Sequence, residues 1–419
     1  MSPRVGLSVA RLGDAADVEA AWSEYARVND AAFGHAPDVA QAAAKRPLVE
    51  PDRWFLASID GEACGGAGSF PSELTLPGPA TIAVRAVSDV GVLASHRRSG
   101  VATALMRDQL EDIVQHGEHL AVLHASESTI YRRFGYGPAT RWRQVRIDAR
   151  RTRFRDDRPD PGGSFSLGTP SAERDSVVAV HAAVRSTRIG GLARSATWWD
   201  VLFGETEMYL GGGRRQLALV HRDRSGRPDG YAIYVVHEDW SVGQANHHLE
   251  VWELVGEDMA VEVALWHTLA RHDLVAAVTG PIAVDHALWD VVVDPRQVAT
   301  QWDQDLLWAR VLDVPAVLGA RSWSAAGRVV LGVDDPFLGC CTGTFLVEAD
   351  DGGAGTCRPW DGPADLHLDV ADLGAALLGG TSLRRLVRAG RIVESTPGAA
   401  ARFDAMAMVD PAPWCWVRF

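Results

Sequence analysis

Apolar residues recur with period two in some short runs of this chain and with period near 3.6 in others. Residues 7–12 predict a short strand. Residues 14–27 predict an amphipathic helix with Val18, Ala21, Trp22 and Tyr25 on one face, and the polar stretch 29–34, ending in Gly34, predicts its break. A second helical run covers 39–45. Strands are predicted over 53–60, 63–76 and 81–92. The second of these carries Gly65-Gly66-Ala67-Gly68, which predicts a bulge or a close backbone approach. A helix over 102–116, a strand over 119–124, a short helix over 126–133 and a strand over 140–148 complete the first region.

Residues 150–163 are rich in Arg, Asp, Pro and Gly and read as a linker. Beyond it the pattern predicts helices over 172–186 and 196–203, strands over 215–222, 230–237 and 248–255, and a helix over 258–271. This order echoes the first region. A third region opens with a strand over 307–312 that runs into a helix beginning near Pro315. Strands over 328–333, 342–348 and 366–369 and helices over 370–378 and 381–389 follow. The expectation is an α/β (α+β) chain of three units, 1–149, 150–300 and 301–419.

The first chemistry lies between the strand ending at Val92 and the helix that follows. Arg97-x-x-Gly100-x-Ala102 joins them: Arg97 and Arg98 crowd charge into the turn, and Gly100 and Ala102 keep side chains away from the backbone. The first amides of a helix have no intrahelical partner and carry partial positive charge, so an anion can settle on them. The residues expected to hold a pyrophosphate are Arg97, Arg98, Ser99, Gly100, Val101, Ala102 and Thr103. The strand edge at Val90, Gly91 and Val92 offers N–H and C=O groups to an extended ligand arm. The turn has neither the Gly-Lys-Ser/Thr of a P-loop nor the G-x-G-x-x-G of a dinucleotide fold. In the second region Val255-Gly-Glu-Asp258 stands at the corresponding place, and its acidic residues would repel a pyrophosphate.

This turn resembles the acetyl-CoA signature of the GNAT superfamily of N-acetyltransferases. Residues 124–140, His-Ala-Ser-Glu-Ser-Thr-Ile-Tyr-Arg-Arg-Phe-Gly-Tyr-Gly-Pro-Ala-Thr, closely resemble the second signature of the enhanced intracellular survival (Eis) family, as do the chain length and the ending Trp-Val-Arg-Phe419. The resemblance implies two tandem GNAT-like domains, the second without cofactor binding, followed by a sterol-carrier-protein-like domain. It implies acetyl-CoA as co-substrate, a primary amine as acceptor (aminoglycoside, polyamine or lysine-like) and assembly as hexamers. It also implies that Tyr131 serves the departing thiolate as general acid, and that the C-terminal carboxylate of Phe419 acts as base in the active site.

Asp30 and Phe33 fall in the helix break where this fold lines its acceptor channel, and Asp89 precedes the cofactor strand. An acidic–aromatic group there would hold a cationic amine by charge and cation–π attraction; a helix cap plus a core aromatic is the other reading. Arg418 departs from the aminoglycoside-acetylating relatives, which carry an acidic residue just before the terminal Phe, and favours an acceptor of lower positive charge. A dedicated biosynthetic amine, a protein lysine, or acyl-CoA or lipid binding without turnover remain as alternatives.

Composition narrows the rest. Net charge is −13, which excludes a general nucleic-acid binder. Lys45 is the only lysine. Five cysteines with no C-x-x-C pair predict free thiols and no metal site. His247-His248 reads as structural, Gly211-Gly212-Gly213 with Arg214-Arg215 as a strand-leading turn, and Trp198-Trp199 as an inter-domain or oligomer contact. No apolar run is long enough to span a bilayer and no signal peptide is evident, so no membrane partner and a cytoplasmic location are expected.

Overall fold

A computed structural model of the chain describes residues 6–204 and 216–419. The first unit holds β1 (Leu7–Arg11), α1 (Val18–Ala32), α2 (Val39–Lys45), β2 (Phe55–Ile59), β3 (Glu62–Thr75), β4 (Thr81–Val92), α3 (Val101–Gln115), β5 (Leu120–His124), α4 (Ser128–Tyr131) and β6 (Gly137–Pro138). Helix starts follow local chemistry. The carboxylate of Asp17 accepts from the Ala20 amide at 3.0 Å to cap α1, and Asp38 caps α2 from the Gln41 amide at 3.0 Å. The side chain of Asn29 donates to the carbonyl of Asp89 at 2.8 Å. It is thus tied across to β4 and does not compete for its own backbone, and α1 continues to Ala32 where a break at 29 was expected.

The second unit contains β7 (Arg141–Asp148), β8 (Ser164–Gly168), α5 (Arg174–Arg185), α6 (Ala196–Leu202), β9 (Leu217–Arg222), β10 (Pro228–His237), β11 (His247–Gly256), α7 (Met259–Ala270), β12 (Val275–Ala283) and β13 (Val298–Asp305). Next comes β14 (Leu307–Val311). The third unit has α8 (Val314–Ala320), β15 (Gly327–Asp334), β16 (Gly343–Ala349), β17 (Gly355–Pro359), β18 (Leu366–Asp369), α9 (Val370–Ala376), α10 (Leu383–Arg388), β19 (Val393–Glu394) and α11 (Ala399–Ala407). The glycine run 211–213 with Arg214 and Arg215 lies outside the described residues.

The first two sheets share one plan. Their strand orders are β1-β2-β3-β4-β5-β14-β6 and β8-β9-β10-β11-β12-β7-β13. Each is antiparallel except for one parallel pair, β4 with β5 and β11 with β12. The sixth place in each is taken by a strand from the other stretch of sequence. β7, which follows the first unit directly, sits in the second sheet, and β14, which follows the second unit, lies between β5 and β6 in the first. The units therefore exchange strands across the positions expected as boundaries. The third sheet runs β17-β16-β15-β18-β19.

One apolar cluster runs from Trp22 and Trp54 in the first unit through Trp198 and Trp199 to Leu331, Leu373 and Phe403 in the third. Trp198 and Trp199 are buried, and Phe70 of β3 packs on Trp198 at 5.4 Å between ring centroids, so this pair joins the first two units. Among the described residues no helix is long and apolar enough to cross a membrane.

Candidate active site

β4 and β5 pair only from Arg85 to Val87 against Ala121 to Leu123. Beyond Val87 they part. On its other edge, β4 shifts register against β3 between Gly66↔Gly91 and Gly68↔Ser88, so one extra β4 residue bulges. Asp89 sits in that bulge in the left-handed region, at φ 55. Its carbonyl accepts from the hydroxyl of Tyr25 at 3.1 Å and from Asn29 at 2.8 Å. The glycines of β3 allow the close packing behind it: a Cβ on Gly66 would stand 2.4 Å from the Tyr25 ring, and one on Gly68 2.5 Å from the ring of Trp54. Of the two readings of that glycine run the close approach is met, while the bulge falls on β4 opposite it.

The turn into α3 is open. Gly100 takes the N-cap position at φ 90, no side chain caps the helix, and a Cβ there would meet nothing within 4 Å. The hydroxyl of Ser99 is turned to the carbonyl of His96. A cavity of about 1250 Å³ runs from this turn along the parted edge of β4. Val90, Gly91, Val92, Arg97, Arg98, Gly100, Val101, Ala102 and Thr103 all line it; Ser99 does not. Uncapped amides, two arginines and an unpaired strand edge in one cleft fit a diphosphate with an extended arm.

The corresponding helix start in the second unit is capped. Asp258 caps α7 by accepting from the Val261 amide at 2.9 Å, so a carboxylate already occupies that helix start. Trp414 and Trp416 line the adjoining cleft.

Tyr131, at the end of α4, lines the far wall of the large cavity and is 6% exposed. Burial pushes its phenol above the ordinary value, a hydrogen bond with Ser126 opposes this, and Glu127 reinforces it. Tyr136 is fully buried and meets the Tyr131 ring edge-on at 6.2 Å.

The C-terminal tail threads between the units to the end of β5, and neither Phe419 nor His124 lines the large cavity. The amide of Trp414 donates to Ile189 at 2.8 Å, and the indole of Trp416 donates to Nδ1 of His181 at 3.1 Å. Nε2 of His124, at the end of β5, is 2.9 Å from the carbonyl of Val417, and its ring lies 4.6 Å from that of Phe419. Arg418 instead points its guanidinium over Trp142 at 5.3 Å.

Asp30, Phe33 and Asp89 share a smaller pocket of about 230 Å³. Phe33 lines both cavities and is 47% exposed, so it is no core aromatic. Asp30 accepts from the amide of Asp38 at 3.0 Å and does not start a helix. Asp89 is ion-paired with Lys45, whose ammonium also lies over Trp54 at 5.4 Å. The sequence gives neither Lys45 nor His124 a place in the site. A lone lysine in a chain rich in arginine was the available signal for the first, and the first position of the second signature for the second.

Comparison with known proteins gives the family. Residues 17–139 and 190–311 each match an acetyltransferase (GNAT) domain, and residues 314–416 match a sterol carrier protein domain. N-acetyltransferase Eis of Mycobacterium tuberculosis is 32% identical over 375 residues, covering 87% of this chain and 89% of that protein. The chain belongs to the Eis family of N-acetyltransferases.

An uncharacterized N-acetyltransferase of Streptomyces coelicolor is 38% identical over 390 residues, covering 91% of this chain and 94% of its own length. The crystal structure of Eis1 from Mycobacterium abscessus superposes with a TM-score of 0.84 at 31% identity, covering 99% of this chain and all of that one. As an Eis-family enzyme the chain is an N-acetyltransferase, and GNAT domains use acetyl-CoA as co-substrate. The two GNAT domains and the sterol-carrier-like domain expected from the signatures are thus present in the expected order.

Proposed function

We propose that this Eis-family enzyme acetylates a primary amine of a cationic acceptor, aminoglycoside, polyamine or lysine-like, by direct attack inside the large cavity. Acetyl-CoA supplies the activated acyl carbon. The Arg97–Thr103 turn holds the diphosphate, and the bulged β4 edge at Val90–Val92 holds the extended arm. Tyr131 keeps its proton through the neutral range because burial raises its value, and it delivers that proton to the departing sulfur. The terminal carboxylate of Phe419 takes the proton of the attacking amine, the role that the family resemblance implies. Asp30 and Phe33 hold the acceptor. Hexameric assembly, cytoplasmic residence and a second GNAT unit without cofactor binding belong to the same proposal.

The observation that carries this reading is the packing of Phe419 on His124. It brings the chain's last residue to the strand end from which α4 and Tyr131 lead. The test measures free-thiol release from acetyl-CoA with lysine-like, polyamine and aminoglycoside amines. A non-catalytic acyl-CoA or lipid-binding protein would bind CoA and release no thiol with any of them.

A second reading has its own observation. Lys45 neutralises Asp89, and Arg418 stands beside Phe419. The ion pair lowers the negative charge that a polycation would meet at Asp89, Arg418 stands where the aminoglycoside-acetylating relatives carry an acidic residue, and both favour a single dedicated biosynthetic amine or a protein lysine. The same panel separates the two: the dedicated enzyme would turn over lysine-like monoamines and leave aminoglycosides untouched.

A further inference from the structure

The loop from β15 to β16 holds a cluster that the acetyl-transfer chemistry does not use. Asp335, Cys340 and Cys341 place one carboxylate oxygen and two sulfurs within 4.8 Å of one another. We propose that these three side chains form a binding site for a thiophilic divalent cation such as Zn²⁺, which stiffens the β15–β16 loop where Asp335 meets Arg310 of the first sheet. The adjacent cysteines escape the C-x-x-C spacing by which metal pairs are recognised in sequence.

Geometry carries the proposal. With Zn–S about 2.3 Å and Zn–O about 2.0–2.2 Å, the edges of a tetrahedral site are about 3.8 Å between sulfurs and about 3.5 Å between sulfur and oxygen. Here the two Sγ atoms are 4.0 Å apart, and Sγ of Cys340 is 3.4 Å from Oδ2 of Asp335. Two edges of the tetrahedron therefore stand nearly at full length before any ion binds. Cys340 is exposed, which leaves the fourth position to water, while Asp335 and Cys341 are buried.

Charge balance agrees. Arg310 of β14 is fully buried and holds both oxygens of Asp335, at 2.8 and 2.9 Å. That pair is neutral. Two thiolates and one divalent cation add to zero as well, so the assembled site buries no net charge. Each thiol gives its proton to solvent as its sulfur–metal bond forms. Arg310 belongs to the first sheet and the three ligands to the third domain. In the same loop Phe337 packs edge-on against Phe134 at 5.0 Å and lies 4.6 Å beneath the guanidinium of Arg107, a wall of the large cavity.

The test uses full-length, chelator-washed protein kept under a phosphine reductant and titrated with Zn²⁺ and with Cd²⁺. One equivalent of Cd²⁺ should produce a thiolate-to-metal charge-transfer band of two-sulfur intensity. One equivalent of Zn²⁺ should raise the melting temperature. Cys340→Ser should weaken Zn²⁺ binding by more than about tenfold, a loss expected even for an outer-shell partner of a metal. It should also abolish the melting shift while melting like the wild type in chelator. Cys357→Ser, outside the cluster, should leave both signals intact. Equal Zn²⁺ affinity in Cys340→Ser and wild type, or no thiolate band at one equivalent of Cd²⁺, overturns the assignment.

Discussion

The ring of Phe419 rests 4.6 Å from the ring of His124, centroid to centroid, although they lie 295 positions apart in sequence. Two residues before the end, the Val417 carbonyl accepts from Nε2 of the same histidine at 2.9 Å. One side chain thus holds the tail through both its edge and its face.

If the terminal carboxylate is the base, its reach is set by that anchorage. One alanine added after Phe419 moves the carboxylate by a residue and leaves the ring in place. Turnover should fall by about 10² or more, the usual contribution of a positioned base, with acetyl-CoA affinity unchanged. Stopped-flow thiol release from the extended protein checks this, and full activity there removes Phe419 from the mechanism.

The acid assignment is tested by Tyr131→Phe. Packing against Tyr136 is kept and only the hydroxyl is lost. The expected outcome is a fall in kcat of about 10²–10⁴ with the acetyl-CoA dissociation constant little changed. Equal losses in binding and turnover would point to a packing role.

Burial lowers the His124 imidazole to about 4, against the Val417 hydrogen bond, which raises it. The unfolded chain, with a value near ~6.5, binds this proton more readily than the folded one between those two limits. Stability contributed by neutral His124 is therefore complete above about pH 6.5 and is lost as pH falls toward 4. At pH 5 the loss is about 2 kcal/mol. His124→Gln, which keeps a donor for Val417 but does not titrate, should flatten the drop in melting temperature between pH 7.5 and pH 5. An unchanged slope would assign the pH dependence elsewhere.

The two helix starts, Gly100 on α3 and Asp258 on α7, suggest a paired substitution. Gly100→Ala adds only the strain of a left-handed backbone, about 1–2 kcal/mol. Gly100→Asp adds the same strain and a carboxylate at the mouth, as Asp258 does on α7. The aspartate variant should bind CoA at least about tenfold more weakly than the alanine variant, since an anion at a helix start is worth up to about 2 kcal/mol. Calorimetry on the two proteins compares them directly, and equal affinities would mean that the diphosphate does not sit there.

Lys45 and Asp89 form a mostly buried ion pair in the smaller pocket. Lys45→Met keeps the bulk of the side chain and leaves the carboxylate without its cation. KM for a polyamine should fall relative to KM for a monoamine, at some cost in stability. An unchanged ratio would separate this pocket from the acceptor path.

Much of the architecture was written in local pattern. Period-two runs marked β3 and β4, and the spacing Val101, Leu105, Leu110 marked the buried face of α3. The open turn at Gly100 was legible because it depends on small residues at fixed offsets. What escaped depends on partners distant in sequence. Asn29 reads as a helix breaker until its side chain meets the Asp89 carbonyl. β13 is largely exposed along its length, so no apolar periodicity announced it. The ion pair of Lys45 with Asp89 spans 44 positions, and Asp335 meets Cys340 and Cys341 only because the loop between β15 and β16 doubles back.

The place of β14 between β5 and β6 reaches beyond catalysis. During synthesis the first sheet stands with a gap beside β5 until residues 307–311 have been made. A fragment trimmed to residues 17–139, the span of its own domain match, would keep every group proposed to grip the diphosphate yet leave β5 with a naked hydrogen-bonding edge, the kind of edge that recruits other chains. Excised alone, the acetyltransferase module is therefore expected to clump, and engineers who want it small must carry β14 along or graft a substitute strand in its slot.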